Sequence, residues 1–233
     1  SSINFADSYY AGMFVLEGMT FSDYIEGEGY LGNTFSLGTT QTRSVPTPNF
    51  VNSTNYKANI QTYIAGRSNA SSTNPQGNNH HLNVSIGNLI IKDTLYRGYK
   101  TVRINQNLNN LTLGNSTDIK FSSINDIGAI TDFQAVGYVR IKYPRSLDAQ
   151  NFSKLSFNLN SNSPLCLLNF VNSNNWINTK IINHHEGKIY NSTLLSSTTN
   201  SFTVENTANE LFLYSENSFK SASIEKVEFN FVD

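Results

Sequence analysis

Four kinds of side chain in this sequence could do chemistry: clustered carboxylates, paired histidines, a lone thiol and aromatic rings. The carboxylates gather in "DYIEGEGYLGNTFSLG", Asp23 to Gly38, where three acidic residues and four glycines sit among aromatic and apolar ones. On extended backbone Glu26 and Glu28 project to the same side, with Gly27 and Gly29 between them. A glycosidase needs two carboxyls across a scissile bond, about 5 Å or roughly 6.5–9.5 Å apart. Neighbours on one strand reach such distances without facing each other across a substrate. A calcium loop would need more oxygen ligands than Asp23 and Asn33 add, and the EF-hand pattern is absent. The plainer reading is a glycine-hinged corner that lets Tyr24, Tyr30, Leu31 and Phe35 pack.

The histidines form two adjacent pairs, His80–His81 and His184–His185. Adjacent strand residues point to opposite faces, so each pair offers one ligand per face. Zinc spacings are missing, and surface or turn positions are the expectation. Cys166 lies in "SPLCLLNF", an apolar run where a free cysteine behaves as a small hydrophobe. A thiol nucleophile would need a base such as His184 or His185 beside it in an accessible, electropositive setting. Tyr9, Tyr10, Phe14, Trp176 and Phe219 could build a sugar-stacking face, although such rings more often pack in cores. No nucleophile elbow, P-loop or dinucleotide fingerprint appears. The sequons at Asn52 and Asn83 are the chance product of an Asn/Ser-rich chain. No cofactor follows from these residues, with calcium the one ion worth weighing.

The elements that must position these groups are strands. "YKANIQTYIAG", "HLNVSIGNLIIKD", "YKTVRINQNL" and "AVGYVRIKYPR" alternate with period two, as do "KLSFNLN", "SFTVEN", "ELFLYS" and "SIEKVEFNFV". Polar turns such as "SNASSTNPQGNN" separate them, a spacing that predicts an all-β, jelly-roll-like antiparallel sandwich followed by a smaller sandwich unit. "PRSLDAQNFSK" is the best internal boundary, because Pro144 cannot donate to a ladder. Two domains are therefore expected, 1–145 and 146–233.

The 233 residues carry 16 basic and 17 acidic side chains, a net charge of −1, which gives no basis for capturing nucleic acid or an anionic membrane. Charged residues are only 14 % of the chain, and Asn and Ser supply solubility instead. Fifteen Phe and 12 Tyr set it apart from a disordered chain. The single cysteine excludes an internal disulfide and a cysteine metal cluster, and its scarcity is compatible with an extracellular or periplasmic protein. No apolar run approaches a membrane span of about 18 residues. Both ends read as cuts made in a longer protein.

Three segments together carry a resemblance: Glu26, Gly27, Glu28, Gly29, Tyr30 and Gly32 of "EGEGYLG"; Tyr138, Tyr143, Pro144 and Arg145 of "YVRIKYPR"; and Gly187, Lys188 and Tyr190 of "INHHEGKIYNST". They resemble the β-rich region upstream of the protease domain in the type IX secretion sortases, gingipain-like cysteine peptidases of family C25 from Bacteroidota. The family's usual "DLTNG" before the last motif is "INHHEG" here. The resemblance implies a non-catalytic accessory region whose parent enzyme carries its Cys and His in a following domain. No catalytic and no metal-binding position is carried over. The implied partners are that protease domain in cis and other type IX secretion components. The implied place is the outer-membrane surface or periplasm of a Gram-negative bacterium. A carbohydrate-binding β-sandwich is the competing reading, and an independent hydrolase using Glu26, Glu28 or the histidines a third.

Overall fold

Side chains alternating between apolar and polar can bury one face of a strand while wetting the other, and the chain uses that device almost throughout. A computed structural model describes residues 2–5, 8–10, 15–16, 19–20, 27–53, 56–109, 111–149, 152–159, 161–173, 175–207 and 209–218. It divides into two compact units, Ser1–Ser146 and Leu147–Asp233. "SIEKVEFNFV", Glu26 and Asp23 lie outside the described residues.

Unit 1 contains eight principal strands: β1 (Ser2–Phe5), β2 (Thr40–Pro46), β3 (Ala58–Gly66), β4 (His80–Ile86), β5 (Leu89–Tyr96), β6 (Thr101–Leu108), β7 (Ser116–Ser123) and β8 (Phe133–Lys142). One sheet runs β1-β8-β3-β6, with Thr34–Ser36 also pairing β8, and the other runs β2-β7-β4-β5. All these pairs are antiparallel. This order, with successive strands crossing between sheets except at the β4–β5 hairpin and the first strand beside the last, is that of a jelly roll. The sheets share one core, in which Ile60, Ile64, Val139 and Ile141 of the first join Val45, Leu82, Val84, Ile119 and Phe121 of the second, all fully buried. Each such side chain contributes roughly 1.5–3 kcal/mol by leaving water.

One residue breaks the alternation. Ala135 and Val136 are both buried, and the β3–β8 register slips between Val136 and Tyr138, leaving Gly137 as the extra residue of a bulge. The slip turns Tyr138 outward, opposite Tyr63. A Cβ at Gly137 would lie 2.5 Å from the Tyr63 ring, so glycine is required there.

Unit 2 holds β9 (Lys154–Phe157), β10 (Leu165–Val171), β11 (Lys180–Asn183), β12 (Lys188–Asn191), β13 (Thr193–Ser196), β14 (Thr199–Glu205) and β15 (Leu211–Tyr214). Its sheets run β9-β15-β11-β12 and β10-β14-β13. Phe170, Ile181, Phe202, Val204 and Leu211 fill the core between them. Phe170 sits 5.3 Å from Trp176 and meets Phe202 edge-on at 5.9 Å. No helix among the described residues is long and apolar enough to cross a membrane.

Candidate functional site

The described part of the glycine-acid segment, residues 27–32, lies against the outer face of the β1-β8-β3-β6 sheet. Ala65 and Ala135 are outward positions, yet both are fully buried because Leu31 packs on them together with Tyr63. Backbone bonds fix the segment: Leu31 N–H donates to Ser8 O at 2.8 Å, and Gly32 N–H donates to Val136 O at 2.9 Å. Gly29–Tyr30 pairs with Tyr9–Tyr10. A Cβ at Gly27 would stand 2.5 Å from Tyr99 O, and one at Gly32 only 1.8 Å from the Arg43 guanidinium. Gly29 takes φ +146°, a conformation that favours glycine. Glu28 is half-buried and its carbonyl accepts from the Tyr63 hydroxyl at 3.4 Å, while Tyr30 is 62 % exposed. The glycines of this stretch thus answer to different demands: close backbone approach at Gly27, a covering arginine side chain at Gly32, and positive φ at Gly29 and Gly38.

The first histidine pair splits across its strand as period two demands, but not to the expected surface. His80 is fully buried, a departure with a clear physical reason: both ring nitrogens have partners. Nδ1 lies 2.5 Å from Asp132 Oδ1, and Nε2 lies 3.0 Å from Ser68 O and 2.9 Å from Gly98 O. The second Asp132 oxygen accepts from Ser123 Oγ at 2.7 Å and Gln134 Nε2 at 2.9 Å. Tyr96 stacks on His80 at 4.5 Å and donates to Gln134 Oε1 at 2.9 Å. Burial, then the charge of Asp132, pushes the Tyr96 hydroxyl well above its ordinary range. The serine hydroxyl bonds the carboxylate and not the imidazole, so Ser123, His80 and Asp132 do not form a nucleophilic relay. Asp132 and His80 are both sealed from solvent, and what the network does is fix loops.

His81, the outward partner, bonds two carboxylates. Nδ1 lies 2.7 Å from Asp126 and Nε2 lies 2.9 Å from Asp93, whose other oxygen accepts from Asn83 Nδ2 at 2.8 Å. Partial burial opposes a charge on His81, but the hydrogen bonds and charges of Asp126 and Asp93 outweigh it and hold its pKa above the ordinary value. Asp93 is lowered by its bonds to His81 and then Asn83. Two neighbours on β4 therefore grip opposite ends of the 124–132 loop, one from the core and one from the surface. Nothing in the local sequence marks Asp126 and Asp132 as their partners.

The other candidates are scattered. Tyr138 stacks on Tyr63 with rings 4° from parallel, and the Arg103 guanidinium lies 5.0 Å from the Tyr63 ring centre. Tyr143 donates to Pro48 O at 3.2 Å, Pro144 O accepts from Val51 N–H, and Arg145 bridges Phe50. Gly187, at φ +66°, turns β11 into β12. Lys188 binds Glu205 and, at 3.3 Å, Glu186. Tyr190 packs against the unit 2 core. Trp176 belongs to that core too and donates to Phe152 O at 2.8 Å, which removes it from any sugar-stacking face. The side chains of Tyr9 and Tyr10, and all of Phe14 and Phe219, lie outside the described residues.

Cys166 is half-buried on β10 against the same core, and no hydrogen bond joins it to His184 or His185, whose turn is exposed. His184 meets Phe212 edge-on at 5.1 Å. Among the described residues no three His, Cys, Asp or Glu side chains converge as a metal set.

No family model and no curated protein matches this chain. Among solved structures, the crystal structure of dimeric latent PorU from Porphyromonas gingivalis aligns over 93 % of this chain and 20 % of its own, with TM-score 0.62 and 12 % identity. The chain therefore spans about a fifth of that protein, and what it shares with this part of PorU is the fold.

Proposed function

We propose that this chain is a non-catalytic accessory region of a secreted gingipain-like cysteine peptidase that cuts type IX C-terminal sorting signals. Its role is to scaffold or dock a protease domain that follows in cis, at the outer-membrane surface or in the periplasm of a Gram-negative bacterium. The observation that carries this reading is the structural likeness to PorU over nearly the whole chain, at a fifth of that protein's length. The "EGEGYLG", "YVRIKYPR" and "GKIY" motifs support it independently. So does unit 2, which leaves Ile177, Ile189, Leu194 and Leu195 exposed, the kind of surface a neighbouring domain covers. Sugar stacking is less well supported, since Trp176, one of the rings considered for it, packs against the unit 2 core and donates to Phe152 O.

The test is peptidase activity of residues 1–233 beside a version extended through the downstream region, on a peptide carrying a type IX C-terminal signal. Activity in the extended version alone is the expected result. Activity in residues 1–233, abolished by Cys166→Ala, would overturn the reading.

A further inference from the structure

His81 is held in a way that only one of its charge states can satisfy. Its Nδ1 lies 2.7 Å from Asp126 Oδ1, and its Nε2 lies 2.9 Å from Asp93 Oδ1. Ionised carboxylates accept hydrogen bonds and do not donate them, so both ring nitrogens carry a proton and the ring is an imidazolium. A neutral ring has one N–H and one bare nitrogen, whose lone pair would face a carboxylate at hydrogen-bond distance. Loss of one proton therefore forces one of the two contacts apart.

The two carboxylates are not equally free to leave. Asp93 lies within β5, in register opposite Asn83 of β4, and its other oxygen accepts from Asn83 Nδ2 at 2.8 Å. Asp126 lies on the irregular loop between β7 and β8, and its side chain is half-exposed. The last ring proton therefore stays on Nε2, bonded to Asp93, and the bare Nδ1 repels Asp126. The other charged groups on this side are Lys120 of β7, opposite Ser85 and so farther along β4, and Arg97, which follows β5 and reaches Gly77. His80, the preceding residue, faces the core.

We propose that His81 is a pH-operated latch: as an imidazolium it ties the 124–132 loop to β5, and on losing a proton it lets the outer end of that loop go. The inner end stays, because Asp132 is bonded to His80 and both side chains are sealed from water. Between the two ends, Thr73 Oγ1 donates to Ile127 O and Ile130 N–H donates to Ser71 O, each at 3.2 Å, the long end of the hydrogen-bond range. With the latch open, the loop rests on these longer bonds. Ile130 rides on it, and at 77 % it is the most exposed large apolar side chain among the described residues. A contact made through Ile130 is thereby coupled to pH. Burial opposes the charge on His81, yet its pKa stands above 6.5, so the latch is shut at and below that pH and opens as pH rises through the folded value. One proton is involved, so the ratio of open to closed loop rises by no more than about tenfold per pH unit.

The experiment is nuclear magnetic resonance on nitrogen-15-labelled residues 1–233, titrated from about pH 5.5 to about pH 9, a range that brackets a raised histidine. The His81 ring should lose its Nδ1 proton and end as the Nε2–H tautomer. Backbone amides of residues 125–130 should shift with the same midpoint, while those of β3 and β8 stay in place. Asp126→Asn supplies an amide that can donate to a bare Nδ1 or accept from a protonated one. In that variant the loop should stay shut throughout, with the His81 midpoint moved down. His81→Gln has no proton to lose and should abolish the loop's response. Loop amides that stay still while His81 titrates, or that follow His184 or His185 instead, would overturn the proposal. So would a response that persists in either variant, a ring that ends as the Nδ1–H tautomer, or a ring that keeps both protons across the whole range.

Discussion

Asp132→Ala is the sharpest perturbation of unit 1, because this one side chain serves three donors in a place water does not reach. Its carboxylate accepts from His80 Nδ1, Ser123 Oγ and Gln134 Nε2, and it is 0 % exposed. Removing one side of this fully buried His–Asp contact costs about 3–5 kcal/mol, since the polar atoms of the other are left without a partner or water. Each stranded donor adds a desolvation cost of about 1–3 kcal/mol, but the Ser123 hydroxyl can rotate to another acceptor, so these do not sum. A loss of about 3–5 kcal/mol is therefore expected, a large part of the 5–15 kcal/mol typical of a domain. His80→Ala should cost a similar amount. The double variant should cost less than the sum of the two, with a coupling of about 2 kcal/mol. Urea unfolding followed by far-UV circular dichroism measures each step, and emission from Trp176, the sole tryptophan, tracks unit 2 separately. Additive single variants, or an Asp132→Ala cost below about 1 kcal/mol, would refute the buried-pair account.

The pairing of His81 predicts a pH dependence. Its folded pKa is raised from 6.5, so its contribution is complete below that value and is lost as pH rises through the folded pKa. Asp93 is lowered from 3.8, so its share is present above 3.8 and lost as pH falls through its folded value. The stability gap between wild type and His81→Gln should thus be widest between those limits and narrow toward alkaline pH, as thermal melts across a buffer series would show. Gly66→Ala brings a Cβ to 2.0 Å from Gly98 O and 2.7 Å from His80 Nε2, and should cost about 3 kcal/mol or more. Gly87→Ala has open space and only its φ of +56° to oppose it, and should cost about 1 kcal/mol by the same denaturation assay. Phe170→Ala empties the centre of the unit 2 aromatic cluster and should cost about 3–5 kcal/mol, read from Trp176 emission.

Strand content was legible because period-two burial is a local signal: His80–Ile86 and Ser116–Ser123 alternate between buried and less buried positions as their sequences do. The failure at Ala135–Val136 is instructive, since a bulge shifts the phase without changing composition. Histidine placement was half legible. Opposite faces follow from adjacency, but burial of His80 depends on a carboxylate 52 residues away that no spacing rule connects to it. Glycine in "EGEGYLG" could be read as permissive. That Gly27 presses on Tyr99 O, and Gly32 on Arg43, comes from tertiary approach. Trp176 shows the same limit: an aromatic in a polar stretch looks available until Phe152 and Phe170 are brought to it.

The place of β8 between β1 and β3 bears on the order of events when unit 1 forms. Ser2–Phe5 must wait for Phe133–Lys142 before it has a partner, and Ala58–Gly66 keeps one side unpaired for the same interval. Closing loops that span most of the unit makes folding slow and leaves a bare apolar strand exposed meanwhile. A polypeptide cut at about residue 132 would therefore be expected to stay unfolded, because unit 1 can close only once its last strand has arrived.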